Sequence, residues 1–242
     1  AVLESLLRDP QKGPQVRRQI LQLLGLDAAR LSATGAAPLP PDTVRWFRDL
    51  GLNMLEVYGM TETASVHTMA YPDQPIRLGS VGLPLPYAKV RIVKLDADGC
   101  YERDCAVDEI GVVIMAGPGV FSGYLDDAHN KGAFVDGHWV NSGDLGRLDA
   151  DGFLWITGRA KDLVIRGGHN IDPAPIEEIL FQHPSVGFAA VVGQPDAYAG
   201  ELPIGYVQLK PGTSAQPGEL EDWVRARTPE RAAVPVQIIP ID

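Results

Sequence analysis

The run Tyr58-Gly59-Met60-Thr61-Glu62 sets a hydroxyl beside a carboxylate. A hydroxyl can donate to a phosphate oxygen, and a carboxylate can hold Mg²⁺, a hard cation that prefers oxygen ligands. A distant block adds complementary groups: Asn141-Ser142-Gly143-Asp144-Leu145-Gly146, Gly158-Arg159-Ala160-Lys161-Asp162 and Arg166-Gly167-Gly168-His169-Asn170. A carboxylate such as Asp144 can accept two hydroxyl hydrogen bonds, a natural grip on a ribose diol. Arg159 is a fixed fork of donors suited to ribose or phosphate oxygens. Each string alone is weak. Taken alone, Ser142-Gly143-Asp144 is more often a turn; Thr61 reads also as a helix cap, Tyr58 as a core residue and Lys161 as a solvated surface lysine.

Together, in this order and at this separation, the strings resemble the adenylate-forming superfamily of acyl-CoA synthetases, adenylation domains of peptide synthetases and luciferase-type ligases. The resemblance runs from Leu31 to the C-terminus. It implies that ATP converts a carboxylate into an acyl-adenylate and pyrophosphate, after which a thiol displaces AMP. For such chemistry the protein positions charged groups and stabilises charge as it develops. The resemblance further implies that Tyr58 lies on adenine, with Gly59 and Met60 in the same nucleotide-contacting run, that Thr61 contacts the phosphates and that Glu62 binds Mg²⁺. Gly35-Ala36-Ala37-Pro38 resembles the loop that lines adenine, where small side chains let backbone reach a flat ring; an ordinary Gly/Pro turn reads the same. Asp144 takes the ribose position, Arg159 the ribose or phosphate position at a domain boundary, and Lys161 the hinge about which the small domain swings. Gly168 is the residue that would let backbone approach a phosphopantetheine thiol. His169 has the pKa class of a general base, although relatives do not rely on a histidine there. The implied cofactors and partners are ATP or AMP, Mg²⁺, coenzyme A and a small carboxylic acid. Ile165 to Pro173 looks most like bacterial acyl-CoA ligases, so the leading expectation is an acyl-CoA synthetase of the fatty-acid or related class. A carrier-protein-loading adenylation domain and a non-catalytic AMP-binding module are the alternatives.

Several elements must position these groups. Val16, Ile20, Leu23 and Leu24 mark one helical face, closed by Gly25. A second helix is expected from Pro41, with Val44, Phe47 and Leu50 inward and Gly51 stopping it. Leu52–Val57 reads as a buried strand. Short β-rich runs follow at Lys89–Leu95, Glu109–Met115, His138–Val140 and Phe153–Thr157. Asp96-Ala97-Asp98-Gly99 and Asp149-Ala150-Asp151-Gly152 read as hairpin turns. Asp172-Pro173 looks like a helix start, followed by strands Val186–Val192 and Ile204–Leu209, a helix carrying Leu220, Trp223 and Val224, and an apolar Val234–Ile241. Residues 1–75 are expected to close a large α/β subdomain, 76–158 to form a β-barrel-like subdomain, and 159–242 to form a small mobile α+β domain.

Composition bounds the function classes. Hydrophobic residues make up 45% and charged residues 21%, with a net charge of −10. That balance is ordinary for a globular chain and argues against binding a nucleic-acid backbone, which needs a basic surface. Cys100 and Cys105 supply too few ligands for a zinc site or a disulfide framework. The other histidines, His67, His129, His138 and His183, form no ligand spacing, and the four tryptophans read as packing residues. No apolar stretch approaches the ~20 residues that span a bilayer, and Ala1-Val2-Leu3-Glu4 lacks a signal-peptide start; a cytoplasmic location is expected. Two family features are missing: a Ser/Thr/Gly-rich phosphate loop upstream, and a lysine near the C-terminus. The chain is therefore expected to be a fragment lacking its N-terminal part and that lysine. It should be a poor catalyst alone, since such groups are worth on the order of 10²–10³ in rate apiece.

Overall fold

The structure, a computed structural model, describes residues 5, 7, 9–37, 39–74, 76–216 and 218–241. Pro38 of the expected adenine loop, Pro75 at the expected subdomain boundary, and Ala1–Glu4 and Asp242 at the ends lie outside the described residues. In chain order the helices are α1 (Gly13–Leu23), α2 (Pro41–Asp49), α3 (Pro173–Phe181) and α4 (Glu219–Arg225). The first strands are β1 (Ser32–Thr34), β2 (Met54–Met60), β3 (Ser65–Met69) and β4 (Leu83–Pro84), in one sheet of that order. Next come β5 (Lys89–Leu95), β6 (Tyr101–Asp104), β7 (Gly111–Ala116), β8 (Phe134–Val135), β9 (Trp139–Leu148) and β10 (Leu154–Arg159). Their order is β10-β9-β7-β5-β6, with β8 also on β9. A third sheet, β12-β11-β14-β13 with β15 on β14, uses β11 (Val164–Arg166), β12 (His169–Ile171), β13 (Val186–Asp196), β14 (Gly200–Leu209) and β15 (Gln237–Ile241).

The expected β-barrel-like subdomain is an open sheet instead. Among the described residues its end strands β10 and β6 do not pair with each other, so no sheet closes on itself. Closure would require the two end strands to meet at matched tilt and stagger. Here β6 is short, and all four of its residues (Tyr101, Glu102, Arg103 and Asp104) are exposed. A short charged edge is how an open sheet avoids further pairing. The sequence signals of alternation and glycine turns are common to barrels and open sheets. The α/β beginning and the small α+β end of the expected fold class are present.

The helices form where local chemistry favours them. Pro41 opens α2 with Asp42 in the first turn and Arg48 in the last, matching the helix dipole. Val44 and Leu50 are buried beneath it. Asp172 caps α3 by accepting the Ala174 N–H at 3.0 Å, and Pro173 follows at the first position. Around α1 the expected face is only half right. Val16 and Ile20 are partly buried, but Leu23, the last residue of the helix, is 88% exposed and Leu24, its cap, 51%.

Strands β5 and β7 are covered on both faces. Val93 and Ile114 join a cluster with Val135 and Trp139, while Ile92, Val113, Met115 and Leu154 form a second cluster. Neighbours in sequence fall in different clusters, as a period of two dictates. Both expected aspartate turns are hairpins: Asp96 accepts the N–H groups of Asp98 and Cys100, and Asp149 those of Asp151 and Phe153. The strand expected at His138–Val140 runs much further, to Leu148, carrying Asp144 within it.

The chain divides into two compact units: Ala1–Ser142 with Gly146–Ile156, and Gly143–Leu145 with Thr157–Asp242. The second unit has its own core, in which Ile176, Leu180, Val207, Leu220 and Val224 are buried. Leu180→Ala should lower the unfolding free energy by about 2–5 kcal/mol, the cost of a cavity at a fully buried leucine. Denaturant titration checks this; a change within experimental error would show that the site collapses freely.

Candidate active site

In the first unit, parallel pairing of β1 with β2 matches Ser32 with Met54 and Thr34 with Glu56. The chain leaving β1 therefore runs beside the end of β2. Gly35 lies so close that a Cβ there would sit 2.7 Å from Val57 Cγ2 and 2.9 Å from Val57 O. Only glycine fits this approach, and Ala36 follows at φ 66°, an uncommon conformation for a residue with a side chain. Gly35 is thus brought against Val57, the residue before Tyr58, and Ala36 and Ala37 follow it in the chain. Tyr58 is half-buried and, with Met60, packs on the cluster of Ile92, Val113, Met115 and Leu154. Gly59 lies between them in the strand.

The strand then reverses. Thr61–Thr63 form one 3₁₀ turn, Ala64 is left-handed at φ 53°, and β3 returns antiparallel. The hydroxyl that caps this turn belongs to Thr63. It accepts the Met60 N–H at 3.2 Å and donates to the Met60 carbonyl at 3.0 Å. Thr61 is left exposed, its side chain without a hydrogen-bond partner among the described residues. Glu62 is half-buried; its carboxylate accepts the Tyr124 hydroxyl at 2.6 Å and its carbonyl accepts the Phe121 N–H at 2.8 Å. Among the described residues no three His, Cys, Asp or Glu side chains gather as a metal cluster. Glu62 therefore suits Mg²⁺ as one ligand among phosphate oxygens and water, the usual way this ion is held at nucleotide sites.

In the second unit, Arg159 Nε donates to Asp144 Oδ1 at 2.8 Å. The Asp144 side chain is 14% exposed and that of Arg159 51%, so the carboxylate is recessed and the guanidinium open to solvent. The pair fixes the direction of the carboxylate, an acceptor of the kind that takes hydroxyl donors. Lys161 is exposed in the 3₁₀ turn Ala160–Asp162. Gly167 and Gly168 form the two-residue turn of the β11–β12 hairpin, at φ 56° and 85°. Positive φ at both positions is what that turn requires, and a Cβ on either would meet nothing within 4 Å. His169 pairs with Glu230, Nδ1 to Oε1 at 2.8 Å, both exposed.

Three residues near these groups escaped sequence reading. Tyr124 ends a glycine-punctuated run, Gly117-Pro118-Gly119-Val120-Phe121-Ser122-Gly123-Tyr124, whose glycines were the available signal, and Asn130 follows six residues later. The third, Glu56 on β2, is 9% exposed and accepts the Gly79 N–H at 3.3 Å. Burial raises its carboxyl above the ordinary range, against the lowering effect of that single bond.

Residues 1–125 match the family described as AMP-binding enzyme, and residues 175–242 match the AMP-binding enzyme C-terminal domain. Among curated proteins, marinolic acid–CoA ligase of Pseudoalteromonas sp. (strain SANK 73390) is 44% identical over 214 residues, covering 88% of this chain and 33% of the relative. ATP-bound MatB from Rhodopseudomonas palustris superposes with a TM-score of 0.83 at 32% identity, covering 95% of this chain and 46% of the other. The o-succinylbenzoate CoA synthetase of Bacillus subtilis, in complex with its acyl-adenylate intermediate, gives a TM-score of 0.79 at 30% identity, covering 99% and 50%. The same synthetase with ATP and a magnesium ion gives 0.74. The chain thus spans between a third and a half of the length of these relatives. No helix among the described residues is long and apolar enough to cross a membrane.

Glu56 yields a pH-dependent expectation. Its folded carboxyl titrates above its unfolded value, so ionising it opposes folding at neutral pH and the opposition fades as pH falls toward the unfolded value. Glu56→Gln keeps an acceptor for Gly79 and removes the charge. It should raise the thermal midpoint at pH 7, with the gain vanishing below about pH 4.3, the ordinary glutamate value. A gain that persists unchanged in acid would refute the electrostatic account.

Proposed function

The chain belongs to the family of AMP-binding enzymes, and on that premise we propose that the polypeptide carrying it is an ATP-dependent acid–thiol ligase of the acyl-CoA synthetase type. In the first half-reaction a carboxylate oxygen attacks the α-phosphorus of ATP and expels pyrophosphate. In the second, the coenzyme A sulfur attacks the acyl carbon, expels AMP and releases its proton. The observation that carries the reading is the recessed Asp144 carboxylate held by Arg159, the arrangement a ribose diol needs. Coenzyme A as acceptor is supported by the relatives, which are named CoA ligases or synthetases. Those names cover different acids, so the acid here, with a fatty acyl substrate as the first candidate, is a matter for a substrate panel.

The residue roles follow from what each group can do. Asp144 accepts the ribose hydroxyls while Arg159, a fork of donors suited to ribose or phosphate oxygens, keeps it oriented. Gly35, Ala36 and Ala37 present backbone to the adenine edge, and the Tyr58-Gly59-Met60 strand end lines the same nucleotide. The exposed Thr61 hydroxyl donates to a phosphate oxygen, and Glu62 is the carboxylate for Mg²⁺. When bound, that ion would neutralise charge building on the phosphates. Lys161, exposed a few residues beyond the end of the first unit, is the pivot of a mobile C-terminal domain. Gly168 keeps the tip of its hairpin bare for an approaching thiol chain. The His169–Glu230 pair has no assigned part. Free thiols at Cys100 and Cys105 support a reducing compartment, the cytoplasm.

Two measurements test the proposal. The natural polypeptide carrying this chain should catalyse pyrophosphate exchange into ATP only when a suitable acid is added from a fatty, aryl and short-chain panel. Absence of exchange with every acid would leave an AMP-binding module and sink the ligase reading. Asp144→Ala should weaken AMP binding by about tenfold or more, the loss of hydrogen bonds to a charged acceptor. Unchanged affinity in calorimetry would remove the ribose assignment.

A further inference from the structure

We propose that Tyr124 is a positioning residue for Glu62, its hydroxyl holding one carboxylate oxygen so that the other faces the Mg²⁺ bound with the nucleotide. The proposal rests on the reading of Glu62 given above. A glutamate carboxylate swings on three side-chain torsions, so a single-carboxylate ligand is only as well placed as whatever holds it. Tyr124 Oη donates to Glu62 Oε1 at 2.6 Å, a short charge-assisted bond. Among the described residues no partner meets Oε2, which leaves that oxygen for the single-carboxylate coordination that Mg²⁺ adopts beside phosphates.

The segment that carries Tyr124 is built around Glu62. Phe121 N–H donates to the Glu62 carbonyl at 2.8 Å, so the two ends of the residue are held by positions three apart. Gly119 backs onto the same turn: a Cβ there would stand 2.8 Å from the Thr63 carbonyl. The tyrosine ring meets Phe121 edge-on at 4.9 Å, and Phe121 in turn stacks on Phe134 at 5.4 Å. Asn130 clamps the tyrosine backbone, accepting its N–H at 2.7 Å and donating to its carbonyl at 3.1 Å. Ring and backbone are therefore both fixed, although the ring is 40% exposed. A residue that served only to pack would need neither the hydroxyl nor its aim.

The test is ATP binding by the natural polypeptide carrying this chain, followed by calorimetry across a Mg²⁺ series and in EDTA, with thermal midpoints alongside. Tyr124→Phe keeps every ring contact and removes only the hydroxyl. The Mg²⁺ concentration for half-maximal tightening should rise roughly three- to tenfold, with affinity in EDTA and thermal midpoint unchanged. Glu62→Gln should shift the same quantity further, and Tyr124→Phe should add nothing in that background. Asn130→Ala, which loosens the backbone and keeps the hydroxyl, should move it in the same direction. If Glu62→Gln shifts the Mg²⁺ requirement but neither Tyr124→Phe nor Asn130→Ala does, the role of Tyr124 is overturned and that of Glu62 stands. If Glu62→Gln shifts nothing, both fall. Equal weakening with and without Mg²⁺ would reduce Tyr124 to a structural part.

Discussion

Reversal of the chain between Met60 and Ala64 decides where the chemical groups of the first unit point. A strand cannot turn back in so few residues without special conformations, and this one uses two devices. The Thr63 hydroxyl closes the turn on both backbone groups of Met60, and Ala64 takes up the left-handed region. An alanine there costs about 1–2 kcal/mol relative to ordinary backbone, and the antiparallel return of β3 over β2 holds it in place. With Thr63 occupied as the cap, Thr61 is released from structural duty. The turn itself is seated because Tyr58 and Met60 lie on the covered face of the second sheet.

The second unit solves a different problem with charge. Asp144 is recessed in β9, a strand whose pairing gives it little freedom, and Arg159 reaches it from the end of β10. A bond between a recessed carboxylate and a solvent-open guanidinium contributes modestly to stability but strongly restricts direction. Glu56 in the first unit is the opposite case: a buried carboxylate with a single amide donor, whose ionisation works against the fold. The two acids differ in their partners: a guanidinium meets Asp144, and one amide meets Glu56.

Local chemistry was legible in the sequence and long-range chemistry was not. The aspartate hairpins and the Asp172 cap depend on groups within four residues of each other, so spacing alone located them. The strand around Asp144 was cut short because Asn141-Ser142-Gly143 has turn composition. Pairing with two neighbouring strands, and a Ser142 hydroxyl donating to the Val113 carbonyl at 2.7 Å, overrode that tendency. Thr61 and Glu62 were singled out from their neighbours in sequence, but the group that meets Glu62 lies 62 positions away and no periodicity announces it. Whether the central strands curl into a barrel depends on strand order, which hydrophobic alternation does not encode.

Strand β14 occupies the middle of the third sheet. One edge is covered by β13 from end to end, and the other is shared by β11 at Gly200 and β15 from Ile204 to Gln208. Synthesis on the ribosome delivers β11, β13 and β14 well before Gln237–Ile241. For that interval the central strand carries bare amide and carbonyl groups along much of one side, a template any passing extended chain could pair with. The parallel arrival of β15 acts as a late latch: pairing from Ile204 to Gln208 closes an edge that the earlier strands of the sheet leave open.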